Sequence, residues 1–191
     1  MTRTQKTLII LGVILLLVVV LPFSFIKGTY NDLVTMEEHV NGAWAQVENQ
    51  LQRRYDLIPN YVETVKGYAA HEREVLTEVT EARAKAAGAR GVEEQIEANN
   101  QLTSALSRLM VVVERYPDLK ASQNFIRLQD ELAGTENRIA VERRRYNETV
   151  REFNTRIRTF PTNLMAALFG FEKKKFFEVS EEAQQAPEVD F

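Results

Sequence analysis

Apolar side chains recur at alternating steps of three and four along most of this chain. The first set is Leu33, Met36, Val40, Trp44, Val47, Leu51, Tyr55 and Ile58. The second is Tyr61, Val65, Tyr68, Val75, Val79, Ala82 and Ala86, with Glu72 in the stripe. The third is Val92, Ile96, Asn99, Thr103, Leu106, Met110 and Val113. The fourth and longest runs through Phe125, Leu128, Leu132, Thr135, Ile139, Tyr146, Val150, Phe153, Ile157 and Phe160. Such spacing puts each set on one face of a helix. The near-3.5 repeat predicts shallow, coiled-coil-like packing of neighbours. The predicted fold is all-α: an antiparallel four-helix bundle over 28–160, preceded by one transmembrane helix.

The breaks between these sets are readable. Gly88-Ala89-Arg90-Gly91 ends the second helix, with glycine as the cap. Tyr116-Pro117-Asp118 divides the third from the fourth, because proline disfavours helix at the residue before it. Pro161 closes the fourth. Pro59 is either a tight hairpin or a kink. The hairpin is preferred, because a continuous helix would leave Leu33 to Leu51 without a partner in one chain and would then argue for oligomerisation.

A different pattern precedes all this. Thr7 to Ile26 carries no charge, Leu8 to Leu21 within it shows no polar stripe, and at about 1.5 Å per residue the run covers the roughly 30 Å of a bilayer core. Pro22 sits near its end, where a kink is tolerable. A cleaved signal peptide would have a shorter apolar run and a small-x-small site after it; Pro22-Phe23-Ser24-Phe25-Ile26 is no such site. Residues 1–6 are basic through Arg3 and Lys6. By the positive-inside rule the N-terminus faces the cytoplasm and the domain lies outside, on an inner (cell) membrane.

After the fourth stripe the composition changes again. Leu164, Leu168, Phe169, Phe171, Lys173, Lys174, Lys175, Phe176 and Phe177 form an amphipathic stretch within 161–177. Rings at headgroup depth and ammonium groups meeting phosphates make these the candidate membrane-contact residues. The alternative is a short helix folded back on the bundle base, with solvated lysines. Residues 178–191 read as a disordered acidic tail.

Chemistry is sparse. There is no cysteine, so thiolate nucleophiles and thiolate metal sites are excluded. Net charge is −3, without the concentrated basic face that nucleic acid needs. His71-Glu72 opens like a zinc-protease motif, but Val75 stands where the second histidine belongs. His39 and His71 lack the Glu-x-x-His spacing of bundle di-metal sites. No phosphate loop or nucleophile elbow is present. No catalytic residue, cofactor, metal or small-molecule substrate is therefore expected. Glu72 and Asn99, on apolar stripes, are the candidate buried polar layer that fixes register. Arg143-Arg144-Arg145 reads as a solvated face. Trp44 and the tyrosines fit the core.

Several blocks carry a resemblance. They include Tyr30-Asn31-Asp32-Leu33-Val34, Ala43-Trp44, Gln50-Leu51-Gln52-Arg53-Arg54, Asp56-Leu57-Ile58-Pro59-Asn60 and Val65-Lys66-Gly67-Tyr68. Tyr116-Pro117-Asp118-Leu119-Lys120-Ala121, Thr135-Glu136, Arg138-Ile139-Ala140, Tyr146-Asn147 and Gly170-Phe171 follow in order. Together they resemble the LemA family of bacterial membrane proteins. The resemblance implies an antiparallel four-helix bundle behind a transmembrane helix and no known reaction. It also implies a gene neighbourhood that sometimes includes a membrane metalloprotease, a possible partner. Family descriptions have proposed an N-terminus outside, opposite to the charge rule. The function expected is a non-enzymatic scaffold or adaptor of the cell envelope, self-associating as a homo-oligomer. The alternatives are a membrane-remodelling, lipid-contacting protein and an enzyme centred on His71 and Glu72.

Overall fold

The computed structural model describes residues 3–178. Its elements are α1 (Arg3–Lys66), α2 (Arg73–Gly88), α3 (Val92–Val113), the single turn α4 (Pro117–Lys120), α5 (Gln123–Arg156) and α6 (Thr162–Phe169). No strand occurs among the described residues. The tail expected to be disordered lies, beyond Glu178, outside them. The chain divides into two compact units. One comprises Met1–Asn41 and Thr149–Lys174; the other comprises Gly42–Glu148 and Lys175–Phe191.

In the second unit the helices alternate in direction. Glu48, Arg54 and Tyr61 of α1 meet Gln95, Thr103 and Met110 of α3 in the same order, so these two run parallel. Trp44, Arg54 and Tyr61 meet Tyr146, Glu136 and Phe125 of α5 in reverse order. Glu78 and Lys85 of α2 pair with Arg108 and Gln101 of α3, also in reverse. The core takes Val47, Leu51, Ile58, Tyr61 and Val65 of α1 with Val79, Phe125 and Ile139 from the stripes read in the sequence, but α3 turns Leu102, Ala105 and Leu109 inward, and Thr103, Leu106 and Met110 of the third stripe stay partly exposed.

The preferred hairpin at Pro59 does not form. α1 continues to Lys66, and Ile58, Tyr61 and Val65 keep one buried face across the proline. Proline has no N–H to give the carbonyl four residues back, which is that of Tyr55. Arg83 of α2 replaces it: its Nε donates to the Tyr55 carbonyl at 3.1 Å. The acceptor is satisfied, so the helix need not end. The chain turns instead at Gly67–Glu72, where Tyr68 and Ala69 both donate to the Val65 carbonyl. The second predicted helix is therefore split, its first turn belonging to α1. Nor does the continuous helix leave Leu33 to Leu51 without a partner. Within the second unit Trp44 packs edge-on against Tyr146 at 5.1 Å between ring centroids; Leu33 and Val40 are buried within the first.

In that first unit residues 10–25 are exposed throughout. α1 is the one helix, among the described residues, long and apolar enough to cross a membrane. Arg156 of α5 pairs with Asp32 of α1 at 2.8 Å. Val150 and Phe153 are buried. The fourth stripe stays helical only to Arg156, and a turn leads into α6.

Candidate functional site

In the first unit α6 shows two faces. Thr162 and Ala166, four apart, point inward and are buried. Leu164 and Leu168, also four apart, point outward with Phe160 and Phe169, exposed by 56%, 68%, 76% and 43%. Large apolar side chains are thus gathered on a helix whose polar inner position is the buried one. Gly170 ends the helix with φ +76°, a left-handed conformation that costs a side-chain-bearing residue about 1 kcal/mol or more. The Phe171 N–H then closes back on the Ala166 carbonyl at 2.9 Å. Tyr30 of α1 meets both Phe169 and Phe171 edge-on, at 4.9 and 5.9 Å. Phe171 also packs on Phe153. These ring contacts fix α6 beside the part of α1 that follows its apolar stretch.

Beyond Gly170 the chain has no regular secondary structure and forms a strap. In the first unit Asn154 grips Lys174 at both ends of its peptide. It donates to the carbonyl at 2.8 Å and accepts from the N–H at 2.9 Å. The Lys174 ammonium pairs with Glu37 and lies over the Phe153 ring. In the second unit Asn147 grips Phe177 the same way, at 3.0 and 2.8 Å. The Tyr146 hydroxyl donates to the Lys175 carbonyl at 2.8 Å. Phe177 is buried between Trp44 and the Arg143 guanidinium.

The second unit also contains a buried cation. Arg54 is 5% exposed. Its Nη1 lies 3.1 Å from Asn99 Oδ1, 3.0 Å from Thr103 Oγ1 and 3.2 Å from Glu136 Oε2. Burial pulls the Arg54 pKa below its ordinary value, and the Glu136 charge opposes that shift. Glu136 is half exposed, so water screens the pair. Burial also pushes the Tyr55 and Tyr146 phenols up to about 12.

This all-helical arrangement, with its apolar first helix, can be set beside known sequences. The sequence model of the LemA family matches residues 43–191. The chain belongs to the LemA family. Relatives within reach of alignment include the magnetosome protein MamQ 2 of Paramagnetospirillum magneticum, 27% identical, with 88% of this chain and 71% of the relative aligned. Protein LemA of Metamycoplasma hominis is 28% identical, over 81% of this chain and 71% of its own length. None of these descriptions specifies a reaction. The matched LemA region takes in α2 to α6, the strap and the part of α1 that carries Trp44 and Arg54.

The residues singled out from the sequence fall in different places on this LemA-family fold. Leu164, Leu168 and Phe169 share the exposed side of α6. Lys173 and Phe176 are exposed on the strap, and Phe171 is half-buried. Lys174 and Lys175 are engaged by Glu37 and Glu93, and Phe177 is interior. Asn99 is buried, whereas Glu72 lies in the turn before α2 and accepts from Arg115 and Tyr116. The structure does not bring those two together: Asn99's charged partner is Arg54. One signal pointed to Arg54, its place between Leu51 and Ile58 on the first stripe. The asparagine grips on the strap had no signal in the sequence.

Proposed function

We propose that this protein is a membrane-anchored, non-enzymatic scaffold that holds the bilayer at two points. One is the apolar first part of α1; the other is the exposed side of α6, made by Leu164, Leu168 and Phe169, with Phe160 exposed in the turn just before it. The observation that carries this reading is that face, packed through Phe169 against Tyr30 in the unit that also contains the apolar stretch. Four large apolar side chains in water are costly, since full burial of each is worth about 1.5–3 kcal/mol, and lipid supplies that burial. The anchor places the lipid surface within reach of the same unit. Arg3 and Lys6 before the apolar stretch favour an N-terminus in the cytoplasm and the helical units outside. Self-association belongs to the same reading and is supported by Val111, Ile126 and Val141, exposed on α3 and α5.

The test uses the full chain in vesicles. The sequence has no cysteine, so Leu168→Cys accepts a single spin label. Collisions with oxygen, which concentrates in lipid, should exceed those with a water-soluble nickel chelate. The opposite ratio, matching that of a label at exposed Gln101, would remove the second contact point. Release of the chain by alkaline carbonate would remove the first.

A further inference from the structure

In the second unit α3 and α5 leave a groove of about 350 Å³ between them. Its apolar lining is Tyr61, Leu106, Met110 and Leu132, and its polar end holds Arg54 and Thr103. Arg54 meets Thr103 at one end of this stretch of α3, and Tyr61 meets Met110 at the other. The two ends are about 10 Å apart along the helix, at about 1.5 Å per residue. Leu106, Met110 and Leu132 are each partly exposed, so the groove is open to a ligand. Ligand pockets run from about 300 to 1,000 Å³, so this one has room for a single chain and not for a two-tailed lipid.

The polar end has unused hydrogen-bonding capacity. A guanidinium carries N–H groups on Nε, Nη1 and Nη2. In Arg54, Nη1 alone faces Asn99, Thr103 and Glu136. Nε and Nη2 have no hydrogen-bond partner among the described residues, although the side chain is only 6% exposed. A cation so deeply placed needs acceptors on all its donors. Nε and Nη2 form one edge of the planar fork, the kind of edge that grips both oxygens of a carboxylate. Glu136, on Nη1, is half exposed and screened by water, so much of the Arg54 charge is left for a second anion to meet.

We propose that the α3–α5 groove binds a single-chain fatty acid, its carboxylate on the Nε–Nη2 edge of Arg54 and its tail along Leu106, Met110 and Leu132. Head and tail of such a molecule match the order of the lining, a cation at one end and apolar side chains beyond it. A plain hydrocarbon would leave the guanidinium edge bare, and a short soluble acid would leave the apolar wall in water. The site lies wholly in the second unit and does not depend on the α6 contact with lipid.

The experiment uses the full chain in lipid nanodiscs, with a decanoic acid that carries a photoactivated diazirine near its tail end. Peptides holding Leu106, Met110 and Leu132 should be labelled, and excess decanoate should suppress that labelling about tenfold, as mass action requires of one saturable site. Labelling of the apolar stretch of α1 is the reference that decanoate should leave unchanged. An unlabelled groove, or labelling there that decanoate does not suppress, would overturn the proposal. So would equal suppression by methyl decanoate, which has the tail without the charge. Arg54→Met removes the fork; Leu106→Glu keeps it and puts a charge on the wall. Each should abolish labelling of the groove with helical ellipticity retained, and labelling that persists in either would overturn the proposal. Protection of the groove that rises with the number of chains per disc, without decanoate, would make the occupant a second copy and overturn it as well.

Discussion

Asn147 holds the peptide of Phe177 from both sides, accepting from its N–H at 2.8 Å and donating to its carbonyl at 3.0 Å. A helix side chain thereby supplies the hydrogen bonds that a neighbouring strand would give, and an irregular segment is fixed without a sheet. Asn147→Ala removes both bonds, each worth about 0.5–1.5 kcal/mol net. Hydrogen exchange at the Phe177 amide should accelerate, and the urea midpoint should fall. Asn147→Asp keeps the acceptor and loses the donor, so its exchange rate should lie between the two. Unchanged exchange in the alanine variant would show that the side-chain packing of Phe177 alone holds the strap.

Arg83 and Pro59 should be energetically coupled through the Tyr55 carbonyl. Arg83→Met leaves that acceptor without its donor and should cost about 1–2 kcal/mol. In a Pro59→Ala background the N–H of residue 59 is restored, and the same substitution should cost much less. A double-mutant cycle from thermal or urea unfolding measures the difference. Additive costs would mean that the Arg83 bond does not substitute for the missing helix bond.

Arg54 should tolerate a long apolar replacement better than a short one. A buried ion pair replaced whole by hydrophobes of similar volume is often near neutral, whereas removing one partner strands the groups that faced it. Arg54→Met keeps most of the volume but leaves Asn99 Oδ1 and Thr103 Oγ1 without their donor, for a loss of about 1–3 kcal/mol. Arg54→Ala opens a cavity and leaves Asn99 and Thr103 without their donor, for a loss of about 2–4 kcal/mol. Equal losses in the two variants, read from denaturant midpoints, would assign the stability to the charge and not to the volume.

Alkaline stability should follow the buried phenols. Tyr55 and Tyr146 ionise at about 12 in the folded chain, because burial disfavours the phenolate. Unfolded tyrosine ionises near 10. A group whose pKa is raised by folding contributes fully below its unfolded value and loses that contribution as pH rises through the folded one. Stability should thus fall between about pH 10 and 12. Replacing both residues with phenylalanine should flatten that fall. Absorbance at the phenolate band, followed beside helical ellipticity, should show the two rings titrating late or only with unfolding. Ionisation of both with the exposed tyrosines would contradict their burial. The single variants should also differ. Tyr146→Phe loses its bond to the Lys175 carbonyl. The buried Tyr55 hydroxyl has no hydrogen-bond partner among the described residues, so Tyr55→Phe should be neutral or stabilising.

Much of the helical architecture was legible because its cause is local. Leu33 through Ile58 recur on one face, and those positions are largely interior. The α2–α3 turn falls at Gly88-Ala89-Arg90-Gly91 as read, but α2 is capped by Ala89 in ordinary extended backbone and not by glycine; Gly91, with φ +79° before α3, is the residue that uses glycine's freedom. What escaped reading depends on distant partners. Pro59 looked like a hairpin because the missing N–H is visible in the sequence, while the donor that replaces it is 28 residues from the carbonyl it serves. Lys174 and Lys175 looked free to meet phosphates, yet Glu37 and Glu93 are their partners, and Phe177 is interior beside Trp44. Leu164 and Leu168, singled out by composition as candidate membrane contacts, are exposed on α6. Arg54 was hidden by a run of polar neighbours, Gln52 and Arg53, although its own position falls on the apolar side.

The Arg83 bond also bears on how the chain is made. A ribosome releases Tyr55 and Pro59 well before Arg83, and during that interval only water can answer the Tyr55 carbonyl. The nascent α1 therefore carries a weak point that the finished protein does not. Its last turns gain full strength only when α2 has emerged and folded back, so this stretch of helix is completed by residues translated after it.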